Sequence, residues 1–142
     1  MKVKKISENV VEVAGERFVK EDSKGWLDIP ELNISVEIEV HDKNKSFDSL
    51  GLKDKEKELL TYTECVFLAN SKYAKTLKMD GSSSSDDFFI QQPFELNRKN
   101  GYVAGFDAGS DYGDLDCRDD SNDSNDYLGV RRKKIWSIKK KS

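Results

Sequence analysis

The sequence predicts an α+β fold in which two helices pack on small antiparallel sheets, with the first and last strands near one another. Three observations carry that expectation. Apolar and polar residues alternate on both sides of the chain's middle, most regularly at Ile34, Val36, Ile38 and Val40, and a period of two marks a strand with one buried face. Between the alternating segments, Thr61 and Glu64 stand three residues apart ahead of an apolar run. That is the spacing of a capping box, in which each side chain accepts a hydrogen bond from the other's backbone N–H. At 142 residues, 36% hydrophobic and 36% charged, the chain suffices for a single domain with one core and has few apolar residues to spare.

Taken in order, Val10–Val19 alternates and reads as strand. Gly25-Trp26 and Ile29-Pro30 read as a turn-like connection to the strand Ile34–Val40. Lys53–Leu60 is expected as a short helix, and the capped helix after it places Tyr62, Cys65, Val66, Ala69 and Tyr73 on one face. Met79-Asp80-Gly81 and the serines 82–85 have linker chemistry. Asp86-Asp87 then precede Phe88, Phe89 and Ile90, a buried strand or anchor, and Pro93 and Asn100-Gly101 are further punctuation. Ile135-Trp136-Ser137-Ile138 reads as a last strand, with Lys133, Lys134 and Lys139–Lys141 as solvated flanks.

Several classes of function have little footing in these residues. Cys65 and Cys117 are the only cysteines and each sits among apolar neighbours, the setting of buried free thiols rather than of a disulfide framework. With a single histidine, His41, beside the strand Ile34–Val40, neither a nucleophile–base arrangement nor a zinc site can be assembled. No enzyme activity, metal or cofactor is expected. No apolar stretch has the length of a signal peptide or membrane span, so the reading is of a soluble chain with no membrane insertion. Display at a surface would depend on a partner.

The segment from Gly101 to Val130 differs from the rest in its alphabet. It holds eight Asp and no Glu, Lys, Gln, Met or Trp, whereas residues 1–100 hold eleven Glu and eight Asp. A solvated acidic loop would use Glu beside Asp, so charge alone does not account for the bias. Codons do: Asn, Asp, Ser, Gly, Tyr, Ala and Cys are all reached by changing adenines in an Asn codon that ends in a pyrimidine, and the five missing residues are not. Turn-rich loops also favour Asp, Asn, Ser and Gly, but apolar residues are interleaved here. Phe106, Leu115, Cys117, Leu128 and Val130 are spaced as the buried side of half-buried strands. The charge changes sign abruptly at the end of this segment, from -7 over Gly101–Val130 to +7 over Arg131–Ser142, which implies an acidic face and a basic tail.

Cys117-Arg118-Asp119 and then Tyr127-Leu128-Gly129-Val130-Arg131-Arg132 resemble the closing strands of the C-type lectin fold of the formylglycine-generating-enzyme type. Joined to the adenine-type residue spectrum, the ending is similar to that of the variable proteins of diversity-generating retroelements, nearest in compactness to archaeal ones. In place of the family's Gly-Gly-Ser-Trp segment this chain has Asn100 to Phe106, so the resemblance implies a reduced version of the fold. It further implies a ligand-binding protein whose C-terminal region is rewritten while the backbone stays constant. The matching variable positions would be Asp107, Gly109, Asp111, Tyr112, Gly113, Asp116, Asp119, Ser121, Asn122, Asp123, Ser124, Asn125 and Tyr127. Tyr112 and Tyr127 would be the anchors, since tyrosine gives contact area at low entropy cost. The ligand implied is a protein or cell-surface molecule with basic groups.

Two other readings are open to the same residues. Asp111, Asp114, Asp116, Asp119 and Asp120 offer oxygens for a calcium-dependent, lectin-like carbohydrate or protein site, although the segment lacks the glycine and glutamate of an EF-hand loop and Arg118 interrupts it. The basic tail with Trp136 could meet nucleic acid or an anionic surface, against which stands its use as a soluble strand edge, with Arg131 paired internally.

Overall fold

The computed structural model describes residues 2–20, 24–93, 101–109 and 114–138, with side chains for all of these except 117–119. It is an α+β structure with two helices and three small, mainly antiparallel sheets among the described residues. The chain divides into two units, Met1–Glu37 with Lys133–Ser142, and Ile38–Arg132.

The first unit is made of strands. β1 (Val3–Ser7), β2 (Val10–Val13) and β3 (Glu16–Val19) form an antiparallel meander. The alternating run Val10–Val19 is thus two strands rather than one. Ala14 and Gly15 take positive φ of 53° and 81°, the left-handed pair that turns a two-residue hairpin in step with strand twist. β4 (Trp26–Ile29) occupies the segment expected as a connection, and pairs with β5 (Ile34–Glu37). The strand expected to reach Val40 stops at Glu37 and is buried at all four residues, so both of its faces are covered. Its central Ser35 tolerates this because its hydroxyl accepts from Trp136 Nε1 at 2.9 Å and donates to Asp28 Oδ1 at 2.8 Å.

The expected last strand breaks at Trp136. β10 (Lys133–Ile135) pairs with β5 and β11 (Ser137–Ile138) pairs with β3, so β11 closes the sheet that β1 opens. The side chain at the switch, Trp136, packs with Val11, Val13 and Phe18 as the unit's apolar cluster. Lys133 and Lys134 are not the solvated flank expected of them. Lys133 is buried, and the ammonium of Lys134 lies 4.5 Å from the centre of the Trp26 ring. Lys139–Lys141 lie outside the described residues.

The second unit holds both helices. Leu52–Glu58, where a short helix over Lys53–Leu60 was expected, is a 3₁₀ helix interrupted by non-helical backbone at Lys55. α1 (Tyr62–Ala69) begins at the capping box foreseen: Glu64 N donates to Thr61 Oγ1 at 3.1 Å, and Thr61 N donates to Glu64 Oε1 at 2.9 Å. Its buried residues are Cys65, Leu68 and Ala69, while Val66 is exposed and Tyr73 falls beyond the helix end. The predicted face was therefore rotated toward Val66. β6 (Asp87–Phe89), β7 (Tyr102–Asp107), β8 (Asp114–Asp120) and β9 (Leu128–Gly129) form a sheet in the order β8-β7-β6-β9, with β6 and β9 parallel. Phe47, Leu52, Leu59, Phe89, Val103, Leu128 and Val130 make one core between the 3₁₀ helix and one side of this sheet.

Candidate ligand-binding face

Register decides which side chains share a face. Paired residues project to the same side of a sheet, and so do residues two apart. Phe89 pairs with Gly105, Gly105 with Asp116, Asp107 with Asp114, and Asp87 with Leu128. Asp87, Phe89, Val103, Gly105, Asp107, Asp114, Asp116 and Leu128 therefore stand on one side. Phe88, Phe106 and Leu115 stand on the other, with the Phe88 and Phe106 ring centres 5.3 Å apart. The first side is apolar at one end, where Phe89, Val103 and Leu128 enter the core, and acidic at the other. There, Asp87, Asp107 and Asp116 line a shallow cleft over the side-chain-free Gly105, with Tyr127 at its margin.

The scaffold residues foreseen in this region are largely in place. Phe106, Leu128 and Val130 are buried, and Leu115 is half-buried opposite Phe106. The alternation that paired Leu115 with Cys117 does not run the length of β8. Val103 pairs with Asp119 while Gly105 pairs with Asp116, so one extra residue of β8 is accommodated as a bulge. The Cys117 side chain lies outside the described residues, whereas Cys65 is a buried free thiol.

Among the proposed variable positions, Gly109, Asn122, Asp123, Ser124 and Tyr127 are exposed, and Asp107, Asp116, Ser121 and Asn125 are half-buried. Asp111, Tyr112 and Gly113 lie outside the described residues, as does the side chain of Asp119. Gly109 has little room for change. A Cβ there would come within 3.3 Å of the Ser83 carbonyl oxygen.

The loop from Ser121 to Tyr127 is fixed largely through its backbone. Asp48 N donates to Ser121 O at 2.9 Å, Ser121 N to Gly101 O at 3.0 Å, Asn44 N to Asn125 O at 2.9 Å and Asp87 N to Tyr127 O at 3.0 Å. None of these bonds depends on the side chain the loop residue carries. Two supports do. Ser121 Oγ donates to Asp48 Oδ2 at 2.8 Å, and Asp120 N donates to Asp123 Oδ2 at 3.0 Å. Just after the loop, Gly129 allows a close approach: His41 and Val130 exchange two backbone bonds of 2.8 and 2.7 Å, and a Cβ on Gly129 would stand 2.4 Å from the His41 oxygen. His41 is exposed and forms an isolated β-bridge with Val130. Arg131 is fully buried, donating from Nη2 to Ile38 O at 2.9 Å with its guanidinium 4.8 Å from the Phe88 ring centre. Its contacts thus include a backbone carbonyl and an aromatic ring.

Asn44, Asp48 and Asp87 escaped the sequence reading as parts of this site. Asn44 and Asp48 act through main-chain N–H groups, which leave no mark on residue type. Asp86 and Asp87 are neighbours with opposite electrostatics. Burial acts to raise Asp86, but hydrogen bonds from Ser83 and from Lys43 Nζ outweigh it and hold its carboxyl below the ordinary range. At Asp87 burial prevails. With the charges of Asp107, Asp116 and Asp86 behind it, and against the N–H of Ala108, it pushes the carboxyl up to about 6. Among the described residues no three His, Cys, Asp or Glu side chains come together as a metal site. No helix in the described residues is long and apolar enough to cross a membrane. No protein-family model, curated protein or solved structure matches the chain.

Proposed function

We propose that this chain is a ligand-binding protein, not an enzyme, whose loop Ser121–Tyr127 and adjoining acidic strand ends form a display surface with interchangeable side chains. Its fold is read as a reduced C-type lectin-like fold of the formylglycine-generating-enzyme type, diversified in the manner of retroelement variable proteins. The observation that carries the reading is the backbone suspension of the loop. Asn44, Asp48, Asp87 and Gly101 hold it by main-chain atoms, so the side chains of Asn122 and Ser124 can change while the fold is preserved. A rigid sheet that bears the folding energy under a changeable loop is the economy of a binding scaffold. The residue spectrum of the segment supports the same reading, and so does its composition of Tyr, Ser, Gly and Asn, which suits adaptable recognition. Its negative charge favours a protein or cell-surface ligand with basic groups, bound more weakly as salt rises.

A library randomised at Asn122 and Ser124 tests this. Most members should fold, judged by protease resistance, and panning on lysozyme, a basic protein, should yield binders that salt displaces. A library in which most members fail to fold would remove the proposal's basis. In the gene, a near-identical template repeat differing at adenines beside a reverse transcriptase would be the signature of the diversifying system.

A further inference from the structure

We propose that Asp87 is a proton-sensitive strut beneath the display surface: uptake of a proton by its carboxyl removes a partly buried charge that stands on the same side of the sheet as Asp107 and Asp116, and stabilises the second unit. The surface would then be firmer and less negative in mild acid than at neutral pH. Its identity as a ligand-binding surface rests on the function proposed above; the strut itself does not.

The geometry places Asp87 where its ionisation matters. β6 lies between β7 and β9 in the sheet, and Asp87 ties both neighbours' ends. Its Oδ1 accepts from Ala108 N at 3.0 Å, just past β7, and its own N donates to Tyr127 O at 3.0 Å, where the loop returns to β9. Like charges face it from the adjoining elements: Asp107 from β7 and Asp116 from β8, with Asp114 opposite Asp107 in register. Tyr127 borders the same cleft from the loop. Among the described residues, Lys43 bonds Asp86 at 3.2 Å, and Arg131 stands over Phe88, whose side chain projects to the opposite side of the sheet. Partial burial of Asp87 in this company accounts for a carboxyl pushed up to about 6.

The sign is set by linkage. The folded chain holds the Asp87 proton more tightly than the unfolded chain, whose carboxyl has the ordinary value of 3.8. Stability is therefore lost as pH rises from the ordinary carboxylate range through about 6, and the loss is complete at neutral pH. Asn at position 87 keeps an oxygen to accept from Ala108 and never acquires the charge.

The test compares thermal unfolding of the full chain with that of Asp87→Asn from about pH 4 to about pH 8 at fixed ionic strength. His41 is present in both and cancels. The variant should melt higher by a few degrees at neutral pH, with its advantage growing between about pH 4 and pH 6.5 and constant above about pH 7. Parallel curves for the two proteins would overturn the proposal. A carboxyl carbon NMR titration of the unmodified chain needs no variant: a midpoint for Asp87 near 6 supports the strut, and one near 4 contradicts it. Capture of a ten-lysine peptide at about pH 5 and about pH 7.5 reads the binding function separately. Absence of capture at both would count against a basic ligand and leave the melting comparison standing.

Discussion

Gly129 shows how far a single missing side chain can determine a site. Because a Cβ there would stand 2.4 Å from the His41 oxygen and 2.8 Å from Val40 Cγ1, Gly129→Ala must separate the His41 and Val130 backbones that exchange hydrogen bonds. A loss of about 1–3 kcal/mol or more is expected, read by denaturant unfolding. Arg131→Ala should cost a comparable or larger amount, on the order of 3 kcal/mol, since it empties a buried site, removes the contact with Phe88 and takes the donor from Ile38 O. Arg131→Lys should restore little of this, because an ammonium cannot lie flat on the ring while donating sideways. The sequence places Gly129 and Arg131 in a stretch that resembles a family's closing strands. It does not disclose that the carboxyls of Asp86 and Asp87, adjacent and chemically identical, are shifted in opposite directions. That difference comes from Lys43 and Ser83 on one side and Asp107 and Asp116 on the other, neighbours that only the fold assembles.

Elements whose signals are local were legible, and those that depend on partners were not. The capping box at Thr61 and Glu64 is complete within four residues and formed as expected. Thr61→Ala should accordingly cost about 0.5–2 kcal/mol, measurable as a lowered midpoint in denaturant with unchanged slope. Alternation located strands at Val10–Val19 and around Ile34 but could not set their ends. Ala14 carries no turn signature by residue type, yet with Gly15 it reverses the chain. β5 stops where its pairing partners stop, since β4 and β10 cover it only from Ile34 to Glu37. Trp136 divides one apolar run between two sheets because its indole is anchored by Ser35 and its backbone N–H by Asn33 O, both distant in sequence. The face of α1 was misjudged for the same reason. The residues beneath a helix of two turns are chosen by what it packs on, and Val66 lay outside that choice.

At the scale of the whole molecule, each unit has its own apolar cluster. Trp136 with Val11, Val13 and Phe18 serves the first, and the group around Phe89, Val103 and Leu128 serves the second. The acidic loop belongs to the second unit and the lysine-rich C-terminal stretch to the first. In the candidate site, the sequence pointed to the loop by its alphabet and to the core positions by their spacing. The main-chain suspension that frees the loop's side chains was invisible, because a backbone N–H is common to nearly every residue. That suspension is the central claim, and thermal unfolding of Asn122→Ala/Ser124→Ala beside Leu128→Ala tests it most directly. The double variant should unfold within about 0.5 kcal/mol per site of the unmodified chain, while Leu128→Ala loses about 2–5 kcal/mol. A double variant that unfolds as readily as Leu128→Ala would contradict the account, for the loop's side chains would then be part of what holds the fold.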